Sequence, residues 1–143
     1  MAGRSPAGDR IAFLRARDSR DINPDLYVVD TSGRGLRKLV SDVDGDQLAW
    51  SPDGTQIALS RSGGGLSGIE ILDVADRRLR HLSLGPFESP PSSPAWSPDG
   101  TTIAYATGFA IKTVPITGGR AVELTDTEPF EVENWSPTWC RGS

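Results

Sequence analysis

Apolar and polar residues alternate with a period of two in many short runs along this chain. Runs such as "IAFLRAR" at residues 11–17 and "LYVVD" at residues 26–30 are rich in β-branched and aromatic residues, and Gly, Pro, Asp or Ser flank them. The pattern predicts short β-strands joined by tight turns. The composition agrees, because 16 Gly and 11 Pro in 143 residues suit turns better than long helices.

One phrase occurs three times. "AWSPDGTQIALS" at residues 49–60 returns as "AWSPDGTTIAYA" at residues 95–106, and "NWSPTWCRGS" at residues 134–143 is a degraded copy. Three sets of equivalent residues share one period of 39 to 46 residues: Trp50, Trp96 and Trp135; Ile11, Ile57 and Ile103; Leu39, Leu82 and Leu124. The chain is therefore expected to repeat one structural unit.

Each unit is expected to hold four antiparallel strands. An inner strand ends in Trp-Ser, a second carries Ile-Ala, a third includes "LYVVD" or "IEILD", and an outer one includes "GLRKLV" or "RLRHLS". The segment from Ser51 to Gly54 joins the first two strands, because Pro presets φ for a type I turn and Gly accepts a positive φ. We interpret the repeated phrase as turn structure rather than as a binding site.

A four-stranded antiparallel unit of about 40 to 45 residues, repeated in series, is typical of a β-propeller blade. The motif "WSPDGxxIA" with its following strands resembles the PD40 repeat of TolB-like propellers, relatives of the WD40 group. The resemblance covers almost all of residues 9–138. It implies an all-β fold of three PD40-type blades, which is half of a six-bladed propeller, and a periplasmic or extracytoplasmic setting.

The strand order leads to a prediction about assembly. We divide the chain into an N-terminal extension (1–9), blade portions (10–45, 46–91 and 92–138) and a tail (139–143). The first portion opens on a second strand at Arg10 with no inner strand before it, and the segment 131–136 is predicted to be an inner strand with no second strand after it. A head-to-tail homodimer would complete a six-bladed ring if segment 131–136 of one copy lay beside residues 10–17 of the other. The alternative is a fragment of a larger TolB-like protein, or the gating or regulatory propeller of a prolyl-oligopeptidase-type peptidase.

The composition argues against several kinds of chemistry. The net charge of −4 is wrong for a general nucleic-acid binder. His81 and Cys140 are the only His and Cys residues, which excludes an internal disulfide and a Cys/His zinc cluster within one chain. The sequence has no P-loop, no G-x-S-x-G nucleophile elbow, no apolar signal core at its start and no run of 18 apolar residues. We expect a protein that is not an enzyme and carries no cofactor, with His81 in a surface or packing role.

The candidate binding site is an acidic face of the disc, around the mouth of a central channel. Connections from outer to inner strands, and from second to third strands, are expected on that face, where carboxylates would favour cationic groups of a protein or peptide ligand. Loop aromatics there would hold Lys or Arg by cation–π contact, or would instead fill the gap between blades. The candidate residues are Asp18, Asp42, Asp44, Asp46, Arg61, Phe87, Glu88, Asp126, Phe130 and Glu131.

The loop "SDVDGDQ" at residues 41–47 raises one alternative. Asp42, Asp44 and Asp46 alternate as in a calcium loop, but Gln47 stands where an EF-hand needs Gly. Solvated loop carboxylates are the interpretation we prefer, and no metal site is predicted.

Overall fold

The computed structural model describes seven ranges of the chain, and these contain strands, turns and irregular segments but no helix. The ranges are 2–18, 23–43, 47–61, 67–85, 89–108, 110–125 and 137–139. Twelve strands in these ranges form three sheets of four strands each. No helix that could cross a membrane was found in this part of the chain.

Each sheet is one blade, formed by four strands that are consecutive in the chain. Blade 1 comprises β1 (Ala2–Arg4), β2 (Arg10–Arg15), β3 (Asp25–Asp30) and β4 (Arg37–Val40). Blade 2 comprises β5 (Leu48–Trp50), β6 (Gln56–Arg61), β7 (Gly68–Asp73) and β8 (Leu79–Leu82). Blade 3 comprises β9 (Pro91–Trp96), β10 (Thr102–Thr107), β11 (Ala110–Pro115) and β12 (Val122–Glu123).

In every blade the strands follow one another in space as they do in sequence, and each pairs antiparallel with the next. The second and third strands form the longest ladder, with Arg10 opposite Asp30 in blade 1 and Gln56 opposite Asp73 in blade 2. The predicted all-β fold of three four-stranded repeats is therefore confirmed.

The predicted start of blade 1 is wrong. Ala2–Arg4 pairs antiparallel with β2, with Gly3 opposite Ala12, so blade 1 already has its own inner strand. This strand lies within the segment 1–9 that the sequence analysis assigned to an extension. The segment 131–136, expected to be a further inner strand, lies outside the described residues.

The core consists of two apolar layers, one on each side of blade 2. Side chains alternate along its strands, so Ile57 and Leu59 pack against blade 1, whereas Ala58 and Ile71 pack against blade 3. All four side chains are at most 1% exposed. Burial of each Ile or Leu stabilises the fold by about 1.5–3 kcal/mol. Apolar packing is therefore the main interaction that stabilises the contacts between consecutive blades.

The Ser-Pro-Asp-Gly segments form the predicted tight turns. The Ser51 hydroxyl donates to Asp53 Oδ1 at 2.6 Å and accepts the Gln56 N–H at 2.9 Å, and Gly54 has φ of 71°. Ser97 makes the same two contacts in blade 3, with Asp99 and with the N–H of Thr102. The phrase recurs because every blade needs this turn between its first two strands.

A fourth copy of the turn, which the sequence analysis missed, opens the chain. In "RSPAGDRIA", Ser5 Oγ donates to Asp9 at 2.7 Å and accepts the Arg10 N–H at 3.0 Å. Ala7 stands where the other copies have Asp, and Asp9 supplies the carboxylate instead. Arg4 takes the place of the tryptophan, seven residues before Ile11, as Trp50 lies seven before Ile57.

The tryptophans join each blade to the one before it. The indole Nε1 of Trp50 donates to the Gly3 carbonyl at 2.9 Å. Trp96 makes the same contact with the Ala49 carbonyl. Trp139 makes the third, with its Nε1 3.1 Å from the Ala95 carbonyl. Trp139 lies in the segment that the sequence predicts as a tail, and Trp135, which the sequence aligns with Trp50 and Trp96, lies outside the described residues.

Candidate functional site

The structure describes three of the ten predicted site residues. Asp18, Asp42 and Arg61 are in the described ranges, on loops or strand ends at one face of the disc. This face, here called the loop face, carries the connections between second and third strands and between blades. The other seven lie outside the described residues: Asp44, Asp46, Phe87, Glu88, Asp126, Phe130 and Glu131.

Asp42 is held in place by both its side chain and its backbone. Its carboxylate forms an ion pair with Arg17, and its N–H donates to Asp25 Oδ1 at 3.2 Å. The residue adopts φ of 55°, a left-handed conformation that Asp tolerates better than most residues. The turn after β4 is thus tied to the start of β3.

Asp25 is the buried anchor of this arrangement, with only 2% of its surface exposed. Burial opposes ionisation, but the Asp42 N–H and the Lys38 ammonium, 3.2 Å from Oδ2, outweigh it and lower the pKa of Asp25. Asp25 is therefore a carboxylate at neutral pH, and it fixes the position of Asp42 beside blade 2.

A narrow cavity of about 120 Å³ opens between blades 1 and 2 at this face. It has room for about four water molecules at roughly 30 Å³ each. Arg61 and Glu70 form one wall as an ion pair at 2.9 Å, on the facing ends of β6 and β7. The described residues that line it are Val40, Ser41, Asp42, Val43, Leu59, Ser60, Arg61, Glu70 and Leu79.

Two polar atoms near this cavity are buried without a hydrogen-bond partner. They are the Nε of Arg61, a donor, and the Oε1 of Gln47, an acceptor. The Gln47 backbone carbonyl accepts the Ser60 N–H at 3.3 Å, which brings Gln47 beside the end of β6. An unpaired buried donor or acceptor costs about 1–3 kcal/mol, so these two atoms destabilise this end of the blade contact.

In the ion pairs that the structure describes in this region, each carboxylate faces one cation. The charges of these pairs are therefore balanced rather than acidic. Asp42 faces Arg17, Glu70 faces Arg61, and Asp25 faces Lys38. Two of the predicted residues, Asp42 and Arg61, do meet at one cavity, whereas Asp18 is not among its lining residues.

No group of three or more His, Cys, Asp or Glu side chains that could hold a metal ion occurs within the described ranges. In the loop considered for calcium, Asp42 is engaged by Arg17, and Asp44 and Asp46 lie outside those ranges. His81 lies on β8, and its ring packs directly on the backbone of Gly68. A Cβ added to Gly68 would lie only 2.2 Å from Cε1 of the His81 ring.

Gln47 and Glu70 are the site residues that sequence reasoning missed. Glu70 interrupts the apolar run "IEIL", and it is opposite Leu59 in the ladder. Blade 1 has Tyr27 at the equivalent position, so a carboxylate within this apolar strand was the sequence feature that could have identified Glu70 as a site residue. Nothing in the sequence marks Gln47.

Three consecutive four-stranded antiparallel blades, packed face to face, define this part of the chain as a β-propeller segment. No family model and no curated protein sequence matches the chain. Among solved structures it is similar to TolB from Acinetobacter baumannii, at 22% identity and a TM-score of 0.69, over 88% of this chain and 32% of that one. A protein assigned as TolB from Agrobacterium tumefaciens gives 22% identity and a TM-score of 0.72, over 88% and 46%.

The same fold also occurs in an enzyme. A gluconolactonase from Xanthomonas campestris matches at 17% identity and a TM-score of 0.62, over 80% of this chain and 42% of its own. The chain thus spans less than half the length of each of these structures. The likeness establishes a TolB-like propeller fold, and propeller folds serve both binding proteins and enzymes.

Proposed function

We propose that this chain is a non-catalytic propeller module that binds a protein or peptide segment on its loop face. The observation that carries the proposal is the cavity between blades 1 and 2, which Asp42, Arg61 and Glu70 line. Two buried polar atoms lack a hydrogen-bond partner here: Arg61 Nε, on a lining residue, and Gln47 Oε1, on a residue beside the end of β6. A peptide group presents the complementary pair, a C=O to accept and an N–H to donate. Asp42 and Glu70 line the same cavity, and a cationic side chain of the peptide would compete with Arg17 and Arg61 for their carboxylates.

The size of the cavity limits the ligand. About 120 Å³ admits one peptide group or one side chain rather than a folded surface. Glu70 is only 15% exposed and Arg61 35% exposed, so charges here are screened less than on an open loop. The ligand that fits this cavity is an extended peptide segment that inserts a single residue.

The test uses short capped peptides and amide NMR spectra of the intact chain. Acetyl-Gly-Lys-Gly-amide should shift the amide signals of Ser60, Arg61 and Glu70, and acetyl-Gly-Glu-Gly-amide should bind several-fold more weakly. Glu70→Gln should weaken binding of the lysine peptide at least several-fold. Asp76→Asn, on a turn of the opposite face, is the matched control and should leave the affinity unchanged. The proposal fails if neither peptide shifts these amides, or if Glu70→Gln and Asp76→Asn behave alike.

A second candidate follows from the comparison lengths. Because the chain spans 32% of one TolB structure and 46% of another, the second candidate is a part of a larger TolB-like propeller. Peptide binding by this chain alone at the cavity supports the first candidate. Binding that requires further blades supports the second.

A further inference from the structure

Each blade has two different apolar faces, and the chain packs them in a fixed order. The leading face lies toward the preceding blade and the trailing face lies toward the following one. In blade 2 the leading face carries Ile57, Leu59 and Leu72, and the trailing face carries Ala58, Ile69, Ile71 and Leu82. At both junctions between described blades, apolar side chains of a trailing face pack on those of a leading face.

The trailing face of blade 3 has no described blade against it. Leu39 and Leu82, on the outer strands of blades 1 and 2, are 6% and 0% exposed, whereas their equivalent Leu124 is 58% exposed. Val122 lies on the same face, opposite Thr113, and is 60% exposed. Leu124 is thus exposed at a position that is buried in blades 1 and 2, and Val122 adds a second exposed apolar side chain where those blades carry Arg37 and Arg80.

The leading face of blade 1 is the complementary surface. Phe13 and Tyr27 stack there with ring centroids 5.8 Å apart, beside Ile11 and Val29. All four are only half-buried, although Leu59 and Tyr105, the equivalents of Phe13 in blades 2 and 3, are each 1% exposed. Blade 1 therefore presents a face shaped for a trailing surface.

We infer that a second copy of this chain covers these surfaces, with the leading face of blade 1 in one copy packed on the trailing face of blade 3 in the other. Each copy carries one face of each kind, so a two-fold pair forms two identical seams and closes into six blades. The inference is independent of the peptide-binding proposal, because it rests on faces remote from the Arg61 cavity.

Trp139 and Arg4 define the inner end of each seam. Trp139 already docks on Ala95 as Trp50 docks on Gly3, while the Arg4 guanidinium folds back on its own turn, with Nε 3.3 Å from the Gly8 carbonyl. A cleft of about 350 Å³ remains beside Arg4 and Ile11 on the leading face of blade 1. The indole of Trp139 from the other copy fills this cleft beside β1.

The test is the mass of the intact chain in solution, by light scattering after size-exclusion chromatography. The wild type should give about twice 15.3 kDa at micromolar concentration. Leu124→Asp and Phe13→Asp should each give the single-chain mass with an unchanged far-ultraviolet circular dichroism spectrum. Leu36→Asp is the matched control, because Leu36 is 52% exposed but lies in the connection between β3 and β4 rather than on a strand, and it should stay dimeric. Trp139→Ala, which removes only the indole, should raise the dimer dissociation constant at least tenfold.

Mixing two variants tests which faces meet. Leu124→Asp keeps an intact leading face and Phe13→Asp keeps an intact trailing face, so their mixture retains one seam and should form a mixed dimer that neither variant forms alone. A monomeric wild type overturns the inference. A dimer that survives Phe13→Asp or Leu124→Asp alone, or a mixture that stays monomeric, overturns the assigned seam.

Discussion

The indole Nε1 of Trp96 donates a hydrogen bond to the Ala49 carbonyl oxygen, 3.0 Å away in the preceding blade. Trp96 is 8% exposed, so the carbonyl and the indole N–H satisfy each other away from water. The same bond joins Trp50 to Gly3 and Trp139 to Ala95. This contact explains why the tryptophan belongs to the repeat together with the turn that follows it.

Trp96→Phe should destabilise the fold by about 1–3 kcal/mol, because the ring packing remains but the Ala49 carbonyl loses its donor. Urea unfolding followed by circular dichroism measures the change. Trp139→Phe, compared at a concentration where the chain is monomeric, is the control, and it should cost less because Trp139 is 37% exposed. Equal losses for the two variants would mean that the hydrogen bond is not what stabilises the blade contact.

Acid should weaken the turns. Hydrogen bonds from the Ser51 and Ser97 hydroxyls, and from the following Thr N–H groups, lower the pKa of Asp53 and Asp99 in the folded chain. A carboxylate whose pKa is lower in the folded chain stabilises the fold at pH values above its unfolded pKa of about 3.9. This stabilisation is lost as the pH falls toward the folded pKa.

The matching experiment compares wild type with the double variant Asp53→Asn and Asp99→Asn in urea at pH 7 and at pH 3. The stability advantage of the wild type should be present at pH 7 and should shrink at pH 3. An advantage that is the same at both pH values would show that these carboxylates do not act through their ionisation.

The backbone of Arg77 is in a strained, left-handed conformation. It adopts φ of 61° in the turn between β7 and β8, whereas blades 1 and 3 have Gly33 and Gly118 with φ of 80° and 83° in the corresponding turns. Arg77→Gly should stabilise the fold by roughly 0.5–1 kcal/mol, since relief of left-handed strain exceeds the entropy that glycine loses. Arg78→Gly is the control, because Arg78 is not among the positive-φ residues, and it should destabilise. Stabilisation by both variants, or by neither, would contradict the strain assigned to Arg77.

Much of the fold could be predicted because its signals are local. Alternating runs such as β6 and β10 show their strand character residue by residue, and Ser51 to Gly54 specify a turn by themselves. The first inner strand was missed because "AGR" offers three residues with no apolar alternation and because Arg4 replaces the marker tryptophan. The retained Ser5, Pro6 and Gly8, with Ile11 at the expected spacing, could have revealed it.

The candidate site was harder to predict because it depends on how two blades meet. Asp42 and Arg61 were chosen separately from their loops, and only the packing of blade 1 on blade 2 brings both to one cavity. The partnerless atoms of Gln47 and Arg61 arise from that packing as well, and no sequence pattern encodes them.

Small-angle X-ray scattering of the unmodified chain tests most directly whether the two free blade faces are complementary surfaces. If they are, the protein in solution should be a particle of about twice 15.3 kDa whose scattering fits a closed six-bladed disc with a central channel. Scattering from an open arc of single-chain mass, unchanged as the protein concentration is raised through the micromolar range, would contradict it.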